Sequence, residues 1–187
     1  GFGVQPQTVF INTAIGGSPL NQTFYDLRVQ GVISALSNFT VTRNVVIDPG
    51  ATFNGGPGLT HSVGGNWTNN GTFTQGTCTV TFTGSAAQTV SASPFCNLTV
   101  NNPAGIILSG NVTMAPDGVC RLTNGSVTTG ANALIINNTD PGSLVLGNNK
   151  VIGTVSRAIA SGSTATYNLF STNAFVVPNG TANPSQI

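Results

Sequence analysis

Any chemistry in this chain has to be assembled from one imidazole, three thiols and four carboxylates: His61; Cys78, Cys96 and Cys120; Asp26, Asp48, Asp117 and Asp140. Acid–base catalysis needs two titratable groups aimed at the same reacting atoms, and glycoside hydrolysis needs a pair of carboxylates on one face. Three of the aspartates sit in turn sequences, Asp48-Pro49-Gly50, Pro116-Asp117-Gly118 and Asp140-Pro141-Gly142. There the side chain is expected to cap its own backbone. Asp26 stands two residues from Arg28 and reads as half of a surface pair. His61 reads as a solvated turn residue, and alone it completes neither a triad nor a metal site. Gly55-Gly56-Pro57-Gly58 lacks the Lys-Ser/Thr that a phosphate loop requires, so it reads as a corner. The expectation is a chain with no catalytic residue, no metal ligand and no cofactor.

Two further groups invite a functional reading. Cys78-Thr79-Val80-Thr81, Cys96-Asn97-Leu98-Thr99 and Cys120-Arg121-Leu122-Thr123 share one pattern. Equivalent positions on stacked strands lie about 4.8 Å apart, which predicts an inward column of sulfurs and brings a Cys78–Cys96 or Cys96–Cys120 disulfide within reach. Burial as three small free thiols is the competing reading. Trp67, with Tyr25 and Tyr167, is the aromatic candidate for stacking on a sugar, set against packing in the core or at an edge.

The elements that must carry these residues follow from composition. Charged residues are 5% of the chain and Glu is absent, against about 25% charged in an ordinary soluble domain. Solubility therefore falls to Asn, Thr, Ser and exposed backbone. The five cations are scattered singly, so neither nucleic acid nor an anionic membrane surface finds a basic stripe. No apolar run is long enough for a membrane-spanning helix, and membrane insertion is not expected. The opening Gly1-Phe2-Gly3 is what a processed protein or an excised fragment would show. Helix formers are scarce while Thr, Val, Asn and Gly abound, which predicts an all-β fold.

Self-similarity refines that fold. Phe24-Tyr25-Asp26-Leu27-Arg28-Val29 resembles Phe95-Cys96-Asn97-Leu98-Thr99-Val100, roughly 70 residues on, and each is followed by an Asn-apolar-Thr step and a Pro-containing turn. From Thr77 to Thr83, Cys78, Val80 and Phe82 alternate with four threonines, giving one core face and one wet face. Short similar strands joined by Gly/Asn corners favour a parallel β-helix, or solenoid, of short stacked coils; a β-sandwich is the alternative. The expected organisation is an extended segment at 1–23 that could be lent to a neighbouring copy, solenoid repeats at 24–150, and a last coil with an exit strand at 151–187. Nine Asn-x-Ser/Thr triplets begin at Asn21, Asn38, Asn66, Asn70, Asn97, Asn111, Asn124, Asn137 and Asn179. They read as the grammar of strand starts, and as glycan acceptors if the host glycosylates them.

The run Gly64-Gly65-Asn66-Trp67 through Thr74, then Thr79-Val80-Thr81-Phe82-Thr83-Gly84, Ala87-Gln88-Thr89-Val90 and Phe95-Cys96-Asn97-Leu98, resembles the repeat of large secreted surface proteins of Bacteroidetes-type bacteria. The resemblance covers about residues 24–150 and implies a parallel β-helix exported to the cell surface, with an adhesive or scaffold role. It departs in the cysteines, which that repeat does not usually carry. The expected function is an extracellular structural or adhesive protein whose partners are copies of itself, joined end to end or by strand lending, in a fibre or surface layer. A carbohydrate-binding module for surface glycans is the second expectation. An ice-binding protein is the remote third, since it would need Thr-x-Thr on one face of several consecutive coils.

Overall fold

A computed structural model describes residues 8–11, 14–15, 22–163, 166–167 and 171–174. The chain winds into a parallel β-solenoid of about seven turns. Each turn lays strands on three faces. The first face stacks Thr8–Ile11, Asp26–Val29, Val45–Ile47, Trp67–Asn69, Gln88–Val90, Ile106–Leu108, the long strand Val127–Ile136, Val151–Arg157 and Ser171–Ala174. The second carries Ala14–Ile15, Val32–Ala35, Thr52–Asn54 and Thr72–Thr74. Ser93–Phe95 and Val112–Met114 follow in later coils and join Val127–Ile136. The third stacks Gln22–Phe24, Phe39–Val41, Thr60–Val63, Thr79–Phe82, Asn97–Asn101, Cys120–Asn124 and Leu144–Val145. Every one of these ladders is parallel, which rules out the sandwich.

Alternation along each strand decides what enters the coil. Val80 and Phe82 point in while Thr79 and Thr81 stay half-exposed, and Asn97–Asn101 repeats the pattern with Leu98 and Val100 inside. The result is one continuous apolar column from Leu27 to Val155. Aromatic rings thread it: Phe39 to Phe53 at 5.9 Å, Phe53 to Phe73 at 5.5 Å, Phe73 to Phe95 at 5.8 Å. Burying each such side chain contributes about 1.5–3 kcal/mol, and no single coil can hide its own apolar side without a neighbour.

Register partners in adjacent coils stand between 17 and 24 residues apart, so the true repeat is one coil. The longer repeat expected from sequence is corrected by the faces. Asp26–Val29 lies on the first face and Asn97–Asn101 on the third, so the two look-alike segments are out of phase. They resemble each other because every face asks the same of a strand: a polar start, then apolar residues at alternate positions.

Within 1–23, Thr8–Ile11 pairs with Asp26–Val29, and Ala14–Ile15 with Ser34 and Ala35. These strands extend the same parallel ladders. Val151–Arg157 and Ser171–Ala174 continue the first-face ladder. Asn179 and Asn21 lie outside the described residues.

Candidate functional site

Trp67 is 1% exposed and packs edge-on to Phe73 at 4.9 Å, with its Nε1 donating to Ser93 Oγ at 2.9 Å. A ring enclosed in this way offers no face to a sugar, so the glycan role expected for it is corrected. Its strand neighbours Asn66 and Thr68 take the outward positions.

The three cysteines are buried free thiols, which corrects the predicted disulfide, and register breaks the sulfur column at Cys120. Thr79 pairs with Asn97, which sets Cys78 beside Cys96, but Cys120 pairs with Leu98, two residues further along. A slip of two preserves the inward direction, so Cys120 still points into the core while its sulfur misses the column. Desolvation pushes the Cys78 and Cys120 thiols up to about 12. Cys96 lies at the corner before the third face, where its thiol faces the Asp117 carboxylate at 3.9 Å; burial and that carboxylate both raise its pKa.

His61 is not the solvated turn residue expected. It lies on Thr60–Val63 in register with Phe39 and Val80, fully buried, its ring stacked 4.0 Å from that of Phe39. Nε2 contacts Gly55 O at 2.7 Å while Nδ1 meets no hydrogen-bond partner. Desolvation lowers its pKa and favours the neutral imidazole.

The carboxylates hold coils together. Asp48 accepts from Arg28 Nε at 2.9 Å and from Gln30 Nε2 at 2.9 Å in the preceding coil, so Arg28 pairs with Asp48 rather than with Asp26. Asp26 instead accepts from the backbone N–H of Asn44 and pairs with Arg43 at 3.9 Å. Stacking at about 4.8 Å brings the next coil closer than the second residue along a strand at about 6.6 Å, which is why partners lie across coils. Only Asp140 caps its own turn as expected, accepting from Gly142 N. Among the described residues, no three His, Cys, Asp or Glu side chains gather as a metal site.

Sequence reasoning passed over the residues that pin the corners. Gln88, 1% exposed, accepts from Gly84 N and donates to Val63 O at 2.9 Å and to Gly65 O. Fully buried Asn102 donates to Gln88 Oε1 at 3.0 Å and to Ala86 O at 2.7 Å. Arg157, also buried, donates to Asp140 O, Pro141 O and Ser143 Oγ and lies over the Tyr167 ring. The one sequence signal was the place of Gln88 in Ala87-Gln88-Thr89-Val90, within the run that carries the resemblance. Asn38, Asn66, Asn97 and Asn111 each accept a backbone N–H from the following coil, which gives Asn a structural role at these four triplets.

What the coil presents outward is a surface of hydroxyls. On the third face Thr23, Thr40, Ser62, Thr81 and Thr99 stand in register on consecutive coils, and Arg121 continues the column. Beside it run Thr60, Thr79 and Asn97. The single hydroxyl column is therefore longer than the sequence showed, while the Thr-x-Thr pair of Thr79 and Thr81 has Thr60 with Ser62 and Asn97 with Thr99 as its neighbours. A groove of about 290 Å³ opens there between Thr79, Asn97, Thr99, Val119 and Arg121.

No family model, curated protein or solved structure matches the chain. The reading of function therefore stands on the solenoid's own surfaces.

Proposed function

We propose that this chain is a structural and adhesive rod of the extracellular space or cell surface, working without catalysis and assembling with copies of itself. One observation carries the reading. Outside a neutral apolar column the molecule offers stacked hydroxyls and amides, while most of its few titratable groups are buried or spent on joining one coil to the next. Such a surface suits persistence and contact rather than bond making. Support for self-association comes from the first-face ladder. Among the described residues Thr8–Ile11 pairs only with Asp26–Val29, and Ser171–Ala174 only with Val151–Arg157, so each terminal strand keeps one edge that could template another. Among those residues no helix is long and apolar enough to cross a membrane.

The test has two parts. Protease treatment of intact producing cells should release fragments of the chain, and negative-stain microscopy of purified protein should show rods that lengthen with concentration. Fragments recovered only after lysis would overturn the surface location. Rods of a single coil-stack length at every concentration would overturn self-assembly.

A further inference from the structure

Of the chain's four arginines, three are committed: Arg28 to Asp48, Arg43 to Asp26 and the Tyr25 ring, and Arg157 to buried carbonyls. Arg121 is exposed, with no ion pair or hydrogen bond to any described residue. It stands at the end of the hydroxyl column and forms one wall of the third-face groove. The other walls are equally unspent. Thr79 and Thr99 use no side-chain hydrogen bond among described residues, and Asn97 Oδ1 accepts from Val119 N while its amide NH₂ remains for a ligand.

We infer that this groove is a binding site for an acidic polysaccharide, with Arg121 holding a uronate carboxylate and the Thr99, Thr81, Ser62 and Thr40 column receiving the chain's hydroxyls. Three features select this ligand. A guanidinium presents a planar fork that matches a carboxylate through two parallel N–H···O bonds. The groove's volume is of the size of a small ligand site and suits about one sugar ring. The column repeats a donor and acceptor every ~4.8 Å along the solenoid axis, so an extended chain of polar rings can lie along it. A neutral glycan would leave Arg121 unanswered, and nucleic acid would need more than one cation on the face.

This site deepens the adhesive reading by naming what the rod would grip, and its test is independent of where the protein resides. The purified protein is run by affinity electrophoresis through gels containing polygalacturonate, dextran sulfate or neutral dextran. Polygalacturonate should retard it and neutral dextran should not. Arg121→Gln should weaken retention about ten-fold or more, the worth of one charge-assisted hydrogen-bonded contact. Arg121→Lys should restore only part of it, and Thr99→Val should weaken it less. Lys150→Gln, which removes an equal charge elsewhere, should change nothing. Retention equal in the Arg121→Gln and parent proteins overturns the site, as does a stronger hold on dextran sulfate than on polygalacturonate. Faceting of growing ice crystals, abolished by Thr81→Lys and unaccompanied by sugar retention, would assign the column to ordered water and overturn the proposal too. Retention by a protein found only inside cells would remove the adhesive reading and leave the site. Surface location without retention would do the reverse.

Discussion

The buried imidazole of His61 makes stability depend on pH. In the unfolded chain it titrates near its ordinary value of 6.5, while desolvation in the fold lowers that value. Below 6.5 the unfolded chain therefore binds a proton that the folded one refuses. Stability is complete above 6.5 and falls as the pH drops toward the folded value. Denaturant titrations from neutral to mildly acidic pH should show this slope, and His61→Leu should flatten it. Asp48 contributes a separate loss at lower pH, because the Arg28 hydrogen bond holds its carboxyl below the usual 3.8. Persistence of the upper slope in His61→Leu would point to another group. The thiols give a second residue-scale prediction. With values near 12, Cys78 and Cys120 should resist iodoacetamide in the native protein and react only after unfolding. Mass spectrometry of labelled peptides decides it, and rapid native labelling of Cys120 would contradict its burial. His61's place was legible in principle, since it shares parity with Val63 along its strand. Its chemical type argued for water and hid that parity.

At the scale of the element, strands and corners were readable because alternation and Gly/Asn turns act locally. Thr79–Phe82 appears where the threonine alternation places it, and Gly55–Gly58 and Asn69–Gly71 turn corners as expected. Coil phase was not readable. Three faces that share one core impose one pattern, so similarity between segments reports that both are strands and not which face they occupy. The Cys-x-apolar-Thr match failed for the same reason, since a shift of two leaves the pattern intact. What distinguishes corners is polar and buried. Gln88→Ala should strand the Val63 and Gly65 carbonyls and cost about 1–3 kcal/mol, with Asn102→Ala similar. Because each side chain bonds the other, the double variant should cost less than the sum, measured as a double-mutant cycle. Full additivity would mean that the pair acts independently. Gly125 is a second corner device. Its φ is +97, and a methyl group there would meet Asn102 O. Gly125→Ala should therefore lower the melting temperature, while Gly50→Ala, with open space around it, should carry only the backbone cost of about 1–2 kcal/mol.

The whole molecule is held by the contact of each coil with the next. The two ion pairs among the described residues, Arg28 with Asp48 and Arg43 with Asp26, both lie at the solvent surface near one end. Exposed pairs of this kind contribute about 0–1 kcal/mol each and are screened by salt, so the melting temperature should barely move between dilute buffer and concentrated sodium chloride. A large fall would mean that charge does more here than the buried column implies. Solenoid architecture was legible from sequence because short strands, corners and an uncharged exterior all pointed to stacking; the pairing of Thr8–Ile11 with Asp26–Val29 was not, because pairing across coils leaves no local mark. Coil lengths differ from one turn to the next, yet the ladders stay parallel, since the extra residues are absorbed at the corners. Removing or duplicating one complete turn would thus bring together surfaces that already fit, and the reach of the rod becomes a quantity that unequal recombination can adjust without inventing a new fold.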